Sequence, residues 1–211
     1  MTACSGQEIL APEWLKLPHA ERGNRIGLFG GSFNPAHSGH LLVAETALKR
    51  LDLDQIWWLV TPGNPLKDHA ELAPLKTRVH MTNALANHPK MRVCAHEVIL
   101  GSPYTAKTVQ LLKRKRPALN FVWVMGADNL AGFHDWQDWQ SIVQTVPIAI
   151  IDRPGSSLAT LGAPLAKAYE RQRVAEEDAP LLAHLKPPAW AFLHTALDHT
   201  SSTSLRQKKI P

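Results

Sequence analysis

The sequence predicts an α/β fold, a doubly wound, mainly parallel sheet, and three observations predict it. Five short apolar runs, at residues 26–29, 56–60, 91–100, 121–124 and 148–151, are separated by segments with helical spacing. That alternation produces βαβ crossovers and parallel strands. Two of the runs, the first and the fourth, end in glycine-marked loops, Gly30-Gly31 and Gly126-Ala127-Asp128. In a doubly wound sheet the strand order reverses between those two strands, and a ligand lies outside their carboxyl ends. Finally, 211 residues with 45% hydrophobic and 19% charged content suit one globular domain that buries a sizeable core, not a disordered chain.

Taken in order, residues 1–24 form an N-terminal extension to which the sequence assigns no function. Its Trp14, Leu15 and Leu17 are expected to lie on the surface of a single domain spanning residues 25–211. Ile26, Leu28 and Phe29 make a buried first strand, and Asn34-Pro35 a turn. Ser38 is a candidate cap for a helix whose apolar face carries Leu41, Ala44, Leu48 and Leu51. The second strand, 55–61, runs into Pro62-Gly63-Asn64-Pro65, a loop that continues to Lys67. A helix over 75–87 follows, with Arg78 beside Met81 and Leu85. Basic residues just past a strand are positioned to meet a phosphate.

The third strand is expected over 91–100, including Val98 and Ile99. Thr105 would then cap a helix packed through Val109, Leu111 and Leu112. That helix ends in Lys113-Arg114-Lys115-Arg116, whose cations suit a helix C-terminus. After the fourth strand, Trp136 and Trp139 stand three apart, which on a helix makes one aromatic face, Trp139 in the core and Trp136 free to meet a planar base. A helix over 165–174, an irregular stretch over 179–188 and a short strand over 190–193 complete the domain. Residues 199–206, rich in hydroxyls, would cap a last helix.

The net charge of +5 favours anionic ligands without choosing among nucleotides, nucleic acid and lipid headgroups. Two distant cysteines, Cys4 and Cys94, argue against a disulfide framework or a thiolate metal site and for a reducing cytoplasm. No signal peptide and no run of about eighteen apolar residues is evident, so a soluble protein without a membrane partner is expected.

The chemistry concentrates in Gly30-Gly31-Ser32-Phe33-Asn34-Pro35-Ala36-His37-Ser38-Gly39-His40. A helix N-terminus presents backbone N–H groups and the positive end of a dipole to a phosphate, and two imidazoles three residues apart add donors there. The glycines would let a ligand approach the backbone. The stretch is neither a Walker loop, nor a dinucleotide fingerprint, nor a nucleophile elbow, and His96-Glu97 does not begin a zinc motif because position 100 is leucine.

These residues resemble the first signature of the H-x-G-H nucleotidyltransferases, in the form typical of bacterial nicotinate-nucleotide adenylyltransferases. The similarity spans about residues 25–155, with an island at 201–206. It implies a Rossmann-like nucleotidyltransferase fold with a short helical C-terminal part, and the substrates ATP and nicotinate mononucleotide. His37, His40 and Arg206 would be the catalytic groups. Gly30, Gly31, Ser32, Phe33, Gly39, Lys67, Ser202 and Thr203 would hold ATP and its phosphates, with Arg78 at a second basic position of the family. Tyr104, Thr105, Gly126, Asp128 and Trp136 would receive the nicotinate nucleotide, and Mg²⁺ would accompany ATP, with no metal site of the protein's own. Pro103 replaces the usual serine and Lys107 stands where an aspartate is common. Other readings are an H-x-G-H enzyme acting on nicotinamide mononucleotide or phosphopantetheine, and a basic nucleic-acid-binding module resting on net charge and the run 113–116.

Overall fold

The computed structural model describes residues 10–63, 72–102, 104–152 and 162–194. Seven strands, β1 (Arg25–Gly31), β2 (Gln55–Val60), β3 (Met91–Cys94), β4 (Asn120–Gly126), β5 (Ile148–Ile151), β6 (Arg173–Val174) and β7 (Trp190–Leu193), form one sheet in the order β3-β2-β1-β4-β5-β7-β6. Every pairing is parallel. The reversal falls at β1, which pairs with β2 on one side and β4 on the other. Phe29 lies opposite Val124, two residues short of both Gly31 and Gly126, so the two glycine-marked ends are level.

The helices are α1 (Pro12–Leu15), α2 (Ser38–Arg50), α3 (Leu75–Leu85), α4 (Glu97–Leu100), α5 (Thr105–Lys115), α6 (Trp139–Thr145) and α7 (Pro164–Ala168). They cover both faces of the sheet, which is why its strands read as continuous apolar runs with no polar alternation. Successive residues feed two cores. Phe29, Val122, Val124 and Ile151 pack with Val43, Ala44 and Ala47 of α2 and Val79 of α3. Leu28, Phe121, Trp123 and Met125 pack on the other face with Val109 and Leu112 of α5 and Ile142 and Val143 of α6. No helix of the described residues is long and apolar enough to cross a membrane.

Several elements differ from expectation. β3 ends at Cys94, and Val98 and Ile99 sit exposed on α4, a single turn closed by Gly101 at φ +59°. An apolar run does not distinguish a strand from a short helix. The residue before each helix start, not Ser38 or Thr105, occupies the N-cap: His37 for α2 and Tyr104 for α5. Trp136 and Trp139 do not share a helix, because Trp136 is extended and follows a 3-10 turn at Phe133–Asp135, while Trp139 opens α6. The expected helix over 165–174 breaks into α7, a 3-10 turn at Glu170–Gln172 and the edge strand β6. The stretch expected to be irregular is a 3-10 helix, Glu176–His184. Nor does the N-terminal arm merely lie on the surface: Leu10 is buried, the Trp14 carbonyl accepts from the Ala95 N–H at 2.7 Å, and the His96 ring meets the Leu15 carbonyl at 2.7 Å. The expected helix over 199–206 lies outside the described residues.

Three buried interactions shape the carboxyl edge of the sheet. Arg78, 1% exposed, donates to the carbonyls of Ser32 (2.7 Å), Thr61 (2.7 Å), Pro62 (3.0 Å) and Ala73 (2.9 Å). It ties the loop after β1 to the end of β2 and the approach to α3. Burial lowers its pKa to about 10, which leaves it charged at neutral pH. Second, a Cβ on Gly30 would come within 2.5 Å of the Trp123 ring, and one on Gly31 within 3.0 Å of the Phe33 ring. These glycines admit the protein's own aromatic rings. Third, Glu97, 5% exposed, accepts from the Thr108 hydroxyl at 2.9 Å, and Thr61 also bonds its carboxyl. Burial raises its pKa.

Arg78→Met exchanges relief from burying a charge for four backbone acceptors that lose their donor. Since each unsatisfied buried group costs about 1–3 kcal/mol, the variant should lose roughly 2–5 kcal/mol of unfolding free energy in urea titrations, and a change within about 0.5 kcal/mol would contradict the clamp. For Glu97 the sign follows from its raised pKa: the folded state holds the proton more tightly than the unfolded chain, so ionisation costs stability as pH rises above the ordinary carboxylate range of about 4.3. The melting temperature of Glu97→Gln should therefore gain on that of the parent between pH 4.5 and 8, and a pH-independent difference would count against this account.

Candidate active site

β1 delivers its loop to the crevice at the sheet's carboxyl edge, and α2 starts from there. His37 is the N-cap, with extended backbone angles, and His40 is the third helical residue. Their imidazoles form a reciprocal capping box across the first turn: the His37 side chain faces the His40 backbone N–H, and the His37 N–H donates to His40 Nδ1 at 3.3 Å. The ring centroids are 3.9 Å apart. Because His40 Nδ1 accepts, the neutral ring carries its proton on Nε2. His40 stands edge-to-face with the Phe33 ring (5.1 Å) and tilted against that of Phe29 (6.2 Å) and is half-buried, while His37 is 5% exposed. Of the two, His40 has the greater access to a ligand.

Phe33 can meet a phosphate only through its backbone, at φ +45°, because its side chain is 2% exposed and packs on Phe29 and Trp58. Ser32 and Gly31 are half-buried at the rim, and Gly39 is buried in the first turn of α2. The other basic position expected to meet phosphate, Arg78, is occupied entirely by carbonyls and acts under the loop. Lys67, Ser202, Thr203 and Arg206 lie outside the described residues, as does Pro103.

The second wall is built on the opposite face of the sheet. Tyr104 and Thr105, both half-buried, start α5, and Ala127 and Asp128 follow β4 in a 3-10 turn, with Asp128 exposed. Trp136, half-buried, stands edge-on to Phe133 (5.3 Å) and to Trp123 (6.1 Å). Trp123 in turn fills the space above Gly30. Neither α2 nor α5 has an acidic residue in its first turn. The positive ends of both helix dipoles are therefore left for a ligand's negative charge. Among the described residues no three His, Cys, Asp or Glu side chains cluster to hold a metal ion.

The crevice thus joins an electropositive helix start on one face of the sheet to an aromatic and amide-rich wall on the other, an arrangement that fits a molecule with phosphates at one end and a planar ring at the other. Sequence reasoning missed the Arg78 clamp, the Glu97–Thr108 pair and the Gly30–Trp123 contact. Each joins residues that no local pattern connects.

Comparison with known proteins accords with this geometry. Residues 28–208 match the family described as cytidylyltransferase-like. A Rhizobium meliloti protein named "Probable nicotinate-nucleotide adenylyltransferase" is 56% identical over 184 residues, 87% of this chain and 98% of its own length. One of the same name from Methylorubrum extorquens is 55% identical over 87% of this chain and all of its own length. Among solved structures, the Plasmodium falciparum nicotinic acid mononucleotide adenylyltransferase complexed with NaAD superposes with a TM-score of 0.64 at 17% identity, covering 87% of this chain and 83% of that one. The chain belongs to the cytidylyltransferase-like family and, within it, to the nicotinate-nucleotide adenylyltransferases.

Proposed function

We propose that the crevice transfers the adenylyl group of ATP to nicotinate mononucleotide, giving nicotinate adenine dinucleotide and pyrophosphate. The observation that carries the reading is the paired imidazoles at the start of α2, with His40 Nδ1 accepting from the His37 N–H and the ring proton therefore on Nε2. In the reaction a phosphate oxygen of the mononucleotide attacks the α-phosphorus of ATP in line. The bond to the β-phosphate oxygen breaks, and its electron pair leaves with pyrophosphate. The attacking phosphate is already ionised at neutral pH, so no protein nucleophile or strong base is needed. Catalysis is positioning and charge stabilisation.

In this reading the α2 N-terminus, His37 and His40 hold the triphosphate, His40 donating to oxygens that gain charge as the bond breaks. Lys67, Ser202, Thr203 and Arg206 would grip the phosphates from segments outside the described residues. Tyr104 and Thr105, at the α5 N-terminus, would receive the nicotinate carboxylate beside Gly126 and Asp128, while Trp136 stacks on the pyridine. Mg²⁺ would enter as part of the ATP substrate. A hard cation that keeps several of its waters is carried by phosphate oxygens and needs no cage of protein ligands.

The test is pyrophosphate release from ATP with Mg²⁺ over a panel of acceptors. Nicotinate mononucleotide should give the highest kcat/KM; preference for nicotinamide mononucleotide or phosphopantetheine would overturn the assignment. His40→Ala should lower kcat on the order of a hundredfold or more, as for one lost transition-state donor, with an unchanged circular dichroism spectrum. Near-parent turnover would remove the residue from the chemistry. In Trp136→Ala, loss of a stacking contact worth about 1–2 kcal/mol should raise KM for the mononucleotide roughly tenfold and leave KM for ATP nearly unchanged. Equal increases in both would show that the indole serves the fold and not the pyridine.

A further inference from the structure

One cavity outside the crevice has chemistry that adenylyl transfer does not use. It measures about 230 Å³ and is lined by Leu100 and Ser102, at the end of α4 and the turn after it, and by Lys107, Gln110, Leu111 and Arg114 of α5. The four α5 positions follow the spacing i, i+3, i+4, i+7, which puts them on one face of the helix. Lys107 and Arg114 thereby bring two cations to the same space; neither has an ion-pair partner among the described residues, although Lys107 Nζ also lies over the Tyr104 ring, 5.8 Å from its centroid. Ser102 is 9% exposed, and its Oγ is buried without a hydrogen-bond partner. Buried hydroxyls are nearly always bonded, so this one stands out.

Two like charges and an unsatisfied hydroxyl have one common remedy, a ligand that accepts hydrogen bonds and carries negative charge. Phosphate offers oxygens enough for an ammonium, a bidentate guanidinium and a hydroxyl together. Leu100 and Leu111 supply apolar wall beyond the polar groups, where a small organic substituent has room. The lining includes no residue of the β1 and β4 ends or of the α2 start. We propose that this cavity is a second anion site, distinct from the crevice, that takes the phosphate group of a small molecule. It also gives a use to Arg114, part of the basic run 113–116, beyond complementing the helix C-terminus.

The test is a titration of the full chain, followed through its assigned amide ¹H–¹⁵N spectrum, with inorganic phosphate and separately with ribose 5-phosphate. Saturable shifts are expected at the amides of Ser102, Lys107, Gln110, Leu111 and Arg114, independent of any at residues 37–40. The double variant Lys107→Gln/Arg114→Gln should bind roughly tenfold more weakly or worse at this site. It should keep its shifts at 37–40, and Arg114→Gln alone, remote from the Tyr104 ring that Lys107 Nζ covers at 5.8 Å, should keep the parent turnover in the absence of added phosphate. Ser102→Ala should weaken binding by a smaller factor. Tighter binding of ribose 5-phosphate marks a phosphate ester as the ligand, and equal affinities mark the free ion; both support the site. Shifts confined to 37–40, shifts that never saturate, or equal affinity in parent and double variant would overturn it. Because the readout is local, those outcomes bear on the cavity and leave the crevice reading untouched. If the double variant's spectrum collapses, the two single variants, both at exposed side chains, carry the same comparison.

Discussion

The crevice depends on a cation whose partners are all carbonyls of the protein's own backbone. The Arg78 guanidinium spends its N–H groups on Ser32, Thr61, Pro62 and Ala73, which belong to the loop after β1, the end of β2 and the approach to α3. Carbonyls of half-buried loops have limited access to water, and leaving them unpaired is costly. One planar, multiply donating group satisfies four of them at once and so sets the relative positions of three backbone segments. Lysine has donors but no rigid fork, and could not hold that spread. The same loop is tied a second time where Asn34 Oδ1 accepts from the Ala73 N–H at 3.1 Å. The loop that leads from β1 to α2 is thus held by a framework whose own charge is buried.

On that base the sheet separates two kinds of recognition. α2 and its histidines belong to the core of one face; α5, Phe133 and Trp136 belong to that of the other. Both walls adjoin the ends of β1 and β4, where the parallel register levels Gly31 with Gly126. On the α5 side, the Trp123 ring is seated over Gly30 and stands edge-to-face with Trp136. The position of the candidate stacking indole is therefore coupled to the absence of a side chain in the phosphate loop. A ligand with a charged end and a planar end suits such a divided site, because a helix dipole and a π-face need not compete for the same atoms.

The family model and relatives above 50% identity place the chain among nicotinate-nucleotide adenylyltransferases, and its own residues supply a physical account of why that fold serves the chemistry. Phosphoryl-group chemistry asks a protein for position and fixed charge more than for reactive side chains. Two helix starts without first-turn acids, with a ring nitrogen oriented by a backbone N–H, answer that demand. The cavity along α5 is a separate expression of the chain's positive charge, built from one helix face.

Much was legible in the sequence because its signals are local. Apolar runs marked β1, β2, β4, β5 and β7, helical spacing marked the crossovers, and the glycine-marked ends of β1 and β4 located the crevice by the topology of doubly wound sheets. The H-x-G-H spacing alone put both imidazoles in one helical turn. Where periodicity was too short to read, expectation failed: Val98 and Ile99 went to a one-turn helix, and residues 165–188 broke into 3-10 turns around an edge strand of two residues. What only the tertiary structure decided is which of the protein's own groups each polar and glycine residue meets. Arg78 looked suited to a phosphate and is engaged by backbone carbonyls, while Gly30 and Gly31 leave room for the rings of Trp123 and Phe33. Residue type and spacing determine what a side chain can do; its partners are chosen by packing between segments distant along the chain, which no local pattern encodes.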